Sequence, residues 1–139
     1  MKIVLDSSII AALFFKDPFS EAVEKSLKRY DEYYTVDFAA VEIANVAWKR
    51  VTLFNESKKI IEEALDDAMN FIETLCYVVS SHKLYKNAFD IGIATKIPIY
   101  DALFLALANI LNSKLLTCDT KLKNSLRETK YFKLLEYPT

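Results

Sequence analysis

The segment YDALFLALANILNSKLLTCD, residues 100–119, runs a helix pattern into a strand pattern and sets the fold class. From about Asp101 to Leu111 the helical wheel is apolar almost all round, which predicts a buried helix. Asn112 stands where a chain leaves a helix through the left-handed conformation, a position Gly usually takes. Leu115–Cys118 is a short apolar run of the kind found in buried strands, and Asp119 follows it directly. Working outward, the same alternation recurs. Lys2–Leu5 reads as a strand, Asp6-Ser7-Ser8 supplies capping residues, and Ile9–Phe15 reads as a helix. Asp17-Pro18 opens a helix to about Tyr30, with Pro in its first turn. Tyr33–Val36 is a strand. Asp37 caps a helix from Phe38 to about Phe54, and Asn55-Glu56-Ser57 restarts helix to about Leu75. Cys76–Val79 is β-rich, and Ser80-Ser81 cap a helix that fades between Gly92 and Lys96. Pro98 interrupts the pattern before the buried helix, and Tyr131–Glu136 is the last strand. Short apolar strands alternating with helices predict an α/β fold, a three-layer α/β/α arrangement around a short, mainly parallel sheet. In such a sheet ligands sit at the carboxyl ends of the strands. Without repeats or linkers, residues 1–139 are expected to form one domain.

Composition removes several classes of function. Apolar residues make up 53% and charged residues 27% of the 139, which argues against disorder. Eighteen Lys and Arg against nineteen Asp and Glu leave a formal net charge of -1, so nucleic acid is not bound by bulk charge. Gly92 is the only glycine, which excludes a glycine-rich phosphate loop. His82 is the only histidine, and Cys76 and Cys118 are too few for a disulfide framework or a cysteine zinc site. The two thiols fit a reducing, cytoplasmic setting. The longest uncharged run, Ala102–Ser113, is too short to span a bilayer, so no membrane partner is expected.

Four acids sit where the pattern does not call for them. Asp6 and Asp119 each follow a predicted strand. Glu42 lies in an apolar helix between Val41 and Ile43, with Asn45 one turn away on the same face. Asp101 opens the most hydrophobic helix. Each has a simpler reading: Asp6 and Asp101 as N-caps, Asp119 as a turn residue, Glu42 as a solvated helix edge. Those readings are independent of one another, whereas a shared site accounts for all four. Converging carboxylates repel and push each other's pKa values up, so they call for a cation. Oxygen-only ligands suit Mg²⁺ or Mn²⁺, and a carboxylate-held metal can bind a phosphate oxygen and lower the pKa of a bound water. This is nuclease chemistry. An aspartyl-phosphate mechanism at Asp6 fits less well, because a second Asp two residues on is needed and Ser8 stands there.

On these residues the chain resembles the PIN-domain ribonucleases, and most closely the VapC-like toxins of prokaryotic toxin–antitoxin pairs. The resemblance rests on Val4-Leu-Asp-Ser-Ser8, Val41-Glu-Ile-Ala-Asn45, Tyr100-Asp-Ala-Leu-Phe-Leu-Ala-Leu-Ala108 and Leu115-Leu-Thr-Cys-Asp-Thr-Lys-Leu122, in that order. It implies a Mg²⁺- or Mn²⁺-dependent endoribonuclease whose metal-holding, catalytic acids are Asp6, Glu42, Asp101 and Asp119. Ser7, Asn45 and Thr117 would orient ligands or water. Some relatives carry a further acid where this chain has Lys121 and Leu122, which leaves one or two metal ions open. The resemblance also implies a second copy of the chain and an antitoxin as partners. A housekeeping RNA-processing nuclease and a non-catalytic PIN-fold scaffold are the alternatives.

With little net charge, RNA must be held locally. Lys49, two turns after Glu42, and Lys121, after Asp119, are the leading candidates, with Arg50, Lys123 and Arg127 near them. Phe14, Phe15, Phe19, Phe38 and Trp48 are mainly core residues by spacing, with a surplus that suits a partner surface. His82 reads as a surface or capping residue and Cys118 as core.

Overall fold

A computed structural model describes all 139 residues. Five strands, β1 (Lys2–Leu5), β2 (Glu32–Val36), β3 (Cys76–Val79), β4 (Leu115–Leu116) and β5 (Leu135–Glu136), form one sheet in the order β3-β2-β1-β4-β5. Every pairing is parallel. In β1, Ile3, Val4 and Leu5 are fully buried, as expected of a central strand covered on both faces. Seven helices connect the strands: α1 (Ser7–Phe14), α2 (Ser20–Leu27), α3 (Phe38–Thr52), α4 (Lys58–Leu75), α5 (Tyr85–Thr95), α6 (Ile99–Ile110) and α7 (Thr120–Leu126). The path β1 to β2 to β3 moves toward one sheet edge, and β3 to β4 jumps back across β2 and β1. Right-handed crossovers then put α1–α4 on one face and α5–α7 on the other, giving the three-layer α/β/α order. Contacts agree: α1 meets α2, α3 and α4, while α6 meets α5 and lies across β1, β2 and β4.

Helix α6 follows its sequence pattern, with every residue from Ala102 to Ala108 buried. Asn112 ends it with φ 51°. Gly92 lets α5 approach the turn into α6, since a Cβ there would lie 3.2 Å from the Ile97 carbonyl oxygen. Ser80 caps only a 3₁₀ turn over Ser81–Lys83, and α5 starts at Tyr85.

Several boundaries differ from the sequence expectation. Helix α2 starts at Ser20, three residues late. The Asp17 carboxylate accepts the Phe19 N–H at 2.7 Å, and the Ser20 hydroxyl donates to the Ala12 carbonyl at 2.6 Å, which makes 17–19 a turn. Asp37 does not cap α3. Its carboxylate accepts the Ser81 N–H at 3.0 Å, tying the ends of β2 and β3 together. Strand β4 stops at Leu116 because the Cys118 N–H is drawn to Ser8 instead of to a neighbouring strand. The last strand is only Leu135–Glu136, since residues 132–134 turn into a 3₁₀ helix. The sequence pattern does not signal helix α7, although Leu122 and Leu126 are both buried and four residues apart. No helix is long and apolar enough to cross a membrane.

The burial of α6 makes its centre a point of high leverage. Leu105→Ala, at a side chain with no exposure, is expected to cost about 2–5 kcal/mol. Urea denaturation should show a lowered midpoint with an unchanged slope. A loss below about 1 kcal/mol would contradict the placement of α6 in the core.

Candidate active site

In an open parallel sheet, neighbouring strands whose connections leave in opposite directions open a crevice at their carboxyl ends. Here that point lies between β1 and β4. Asp6 directly follows β1 and Asp119 lies three residues past β4. Glu42 reaches in from α3 and Asp101 from the first turn of α6. All four acids line one cavity of about 90 Å³, walled on its apolar side by Phe104, Leu115 and Leu122.

The capping and shared-site readings of Asp6 turn out to be compatible. Asp6 is the N-cap of α1, accepting the Ile9 N–H at 3.3 Å, and its carboxylate still borders the cavity. Asp119 does the same for α7, accepting the Leu122 N–H at 3.0 Å. Asp101 is not a cap. It is the third residue of α6, and Pro98 holds the cap position without a side-chain bond. Glu42 is half-buried rather than a solvated edge.

A frame of hydroxyls holds these acids. The Ser7 hydroxyl donates to Glu42 Oε1 at 3.0 Å. The Ser8 hydroxyl donates to Asp6 Oδ1 at 2.5 Å and accepts the Cys118 N–H at 3.0 Å. Thr117, fully buried, accepts the Asp119 N–H at 3.0 Å and helps to draw the Asp6 pKa down. The Tyr137 hydroxyl donates to the Asp119 carbonyl. Ser8 and Tyr137 were not singled out from sequence. Ser8 acts with a residue 110 positions away and Tyr137 with one 18 positions away, and no local spacing signals either.

The electrostatics are those of a site short of positive charge. Burial pushes the Asp6 pKa from 3.8 up to about 6, with Asp119 adding to the rise and the bonds from Ser8, Thr117 and Ile9 partly opposing it. Burial raises Glu42 from 4.5 to about 7, helped by Asp101, Asp6 and Asp119 and opposed by Ser7. Asp101 is also raised, by burial and by Asp119, while Lys121 draws it down. None of the four acids is in an ion pair; the pairs in the chain are Met1–Asp31, Arg50–Glu56 and Lys58–Glu62. As the side chains stand, they do not form a ready-made group of three metal ligands. Cys118 is half-buried against the core, with its thiol pushed up to about 12 by burial and Asp6, so it stays protonated and is no nucleophile.

The remaining sequence candidates divide. Asn45 and Lys49 are exposed and line a groove that shares Ser7, Ser8 and Glu42 with the acidic cavity. Asn45 forms no hydrogen bond to any of the acids, so its orienting role is not seen in this arrangement. Lys121 is exposed and acts on Asp101 through space. Arg50 is committed elsewhere, to Glu56 and to the Lys16 carbonyl at 3.1 Å. Lys123 lies 4.6 Å over the Tyr137 ring, and Arg127 bonds Asn124. Phe15 is buried and Phe14 packs on Phe71, whereas Phe19 and Trp48 are exposed. His82 is exposed beside Tyr85.

A doubly wound parallel sheet with unpaired acids at its switch point defines a class of acidic-site α/β domains. The chain belongs to the PIN domain family, whose match spans residues 3–125. It is 34% identical over 128 residues to ribonuclease VapC3 of Pyrobaculum aerophilum, covering 88% of this chain and 92% of that one. Among solved structures it resembles VapC20 of Mycobacterium tuberculosis, a toxin that cleaves the sarcin–ricin loop. The TM-score is 0.67 at 15% identity, over 88% of this chain and 94% of that one. A toxin–antitoxin complex from Klebsiella pneumoniae has a similar chain, with TM-score 0.65 and 15% identity over 99% and 98% of the two chains. At such identities these likenesses establish the fold.

The raised pKa of Asp6 makes stability depend on pH. The folded chain holds the Asp6 proton more tightly than the unfolded chain. Its favourable contribution is therefore complete below about pH 4 and lost as pH rises through about 6. The loss by pH 7 is about 3 kcal/mol. In chelator, wild type should melt at falling temperatures from pH 4.5 to 7.5. Asp6→Asn, which keeps a capping side chain, should fall less and melt higher than wild type at pH 7.5. Parallel melting curves would show that the charge on Asp6 carries no such cost.

Proposed function

We propose that this chain is a metal-dependent endoribonuclease that hydrolyses RNA phosphodiester bonds and serves as the toxin of a toxin–antitoxin pair. The observation that carries the reading is the convergence of four unpaired acids on one small, partly desolvated cavity at the switch point. Membership of the PIN domain family and the likeness to a ribonuclease VapC support it. The continuous core, running from Ile3 to Leu126, supports reading residues 1–139 as one domain.

The donor set fits a hard divalent cation. All available ligands are carboxylate or hydroxyl oxygens, and no lysine or arginine satisfies the acids. Asp6, Glu42, Asp101 and Asp119 would hold Mg²⁺ or Mn²⁺. When bound, such an ion supplies phosphate-oxygen binding, a lowered water pKa and stabilisation of the leaving oxygen. The chain's own residues do the rest. Ser8 fixes the Asp6 carboxylate, and Ser7 holds Glu42. One of the four acids would take the proton of the attacking water. Lys49 and Lys121 would meet phosphates flanking the reacting one. An antitoxin would cover the acidic face, and a second copy of the chain and a cytoplasmic location complete the proposal.

Purified wild type should cleave total RNA in Mn²⁺ and stop in chelator. Asp101→Asn should reduce the rate by at least roughly a hundredfold, the upper end of what even orienting partners cost. In chelator Asp101→Asn should melt higher than wild type, because one repelling charge is gone, and Mn²⁺ should stabilise wild type more than the variant. Metal shifting neither protein, with RNA left intact, would refute the nuclease reading and leave a binding scaffold.

A further inference from the structure

The groove beside the acidic cavity carries a feature that phosphodiester hydrolysis alone does not need. Tyr100 immediately precedes Asp101 in α6, and its ring stacks on Phe38 of α3, with centroids 5.8 Å apart and planes 13° apart. Phe38 is half-buried, while Tyr100 is 55% exposed. One ring face is thus backed by Phe38 and the other is open. Val41 adds apolar surface at 60% exposure, and Asn45 and Lys49 continue the same lining from α3. Lys49 lies seven residues after Glu42, about 10 Å along the helix axis. It has no acidic partner. Along α3 the groove therefore runs from the aromatic platform at Phe38, past the acid Glu42, to a cationic end at Lys49.

That order matches a strand of nucleic acid laid through the site. The acids would face the reacting phosphate, the aromatic face a base on one side of it, and the lysine a further phosphate on the other. A base paired in a duplex is already covered on both faces, so an open ring selects unpaired nucleotides. Other exposed apolar grooves, at Tyr85 and Phe89 and at Trp48 and Ile61, share no residue with the acidic cavity.

We propose that Tyr100, backed by Phe38, stacks a base flanking the scissile bond while Lys49 holds a neighbouring phosphate, so that this groove is a subsite for single-stranded RNA. The proposal rests on the nuclease reading. Tyr100 positions substrate; its hydroxyl takes no part, so a phenyl ring serves equally. Backing by Phe38 holds the platform still, which lowers the ordering cost of each stacked base.

Binding of fluorescein-labelled oligoadenylate, compared with a fully abasic strand of the same length and charge, separates stacking from phosphate contact. Fluorescence anisotropy with wild type should give tighter binding of oligoadenylate by at least fivefold and up to roughly a hundredfold. Tyr100→Ala should bind both strands equally, and Tyr100→Phe should keep the wild-type preference. Lys49→Ala should weaken both strands alike and flatten the salt dependence. Equal binding of the two strands by wild type, no binding of either, or a preference that survives Tyr100→Ala would each overturn the proposal. Cleavage of total RNA by the same wild-type preparation in Mn²⁺ is the separate check. Cleavage without base preference removes the platform and keeps the nuclease, whereas no cleavage removes the nuclease itself. An apolar protein segment as occupant would appear as RNA binding indifferent to Tyr100, and counts against the proposal.

Discussion

Like charges held out of water at the junction of β1 and β4 are the constraint around which the rest of the molecule is arranged. Asp6 follows β1 directly and Asp119 lies three residues past β4, so the sheet order brings their two chain segments side by side. Crossovers on opposite faces then deliver Glu42 and Asp101 from either side. Repulsion would open the junction if nothing opposed it. The opposition comes from hydrophobic burial of β1 and α6 below the site and from hydroxyl donors beside it. The frame thus holds the acids at close quarters without neutralising them. Such a site stays short of positive charge because its own scaffold never supplies a cation.

Ser8 is the clearest case of a small residue with several duties. It donates to Asp6, accepts from the Cys118 backbone and sits in the first turn of α1. By taking the Cys118 N–H it also ends β4 early and turns the chain so that Asp119 faces the cavity. Strand termination and site geometry are one event here. Asp6 and Asp119 likewise cap helices and border the cavity with the same carboxylates. Cap geometry fixes each side chain at a known angle to its helix, which suits a residue that must be placed accurately.

Much of this was legible from residue order. A strand followed by Asp announces a carboxylate at the carboxyl end; Asp6 follows β1 at once, whereas Asp119 lies three residues past the shortened β4. The apolar circumference of 102–108 announces burial, so an acid at its entrance draws notice. The pattern was less informative where pairing is long-range or elements are short. Helix α7 has seven residues, too few for a period to stand out. Ser8 looks like any capping serine until Cys118 is brought beside it. Asp37 has the composition of a cap yet serves Ser81, forty-four positions on. Arg50 resembles a phosphate contact until Glu56 and the Lys16 carbonyl claim it. Tyr100 reads as part of a hydrophobic run, and only its stacking on Phe38 separates it from the core.

The jump from β3 back across the sheet to β4 has a bearing on how the chain is made. Synthesis proceeds from the amino end, and domains form in that order. Asp6 and Glu42 emerge early, but the strand that completes the crevice and the aspartate that follows it come from the last quarter of the sequence. Until β4 slots in beside β1, the half-built sheet has an open edge where the site will be, and its acids stand apart in water. A chain interrupted before that point carries no assembled centre. A nuclease of the kind proposed, built while an RNA is being read, would in this way lack its centre for most of its synthesis.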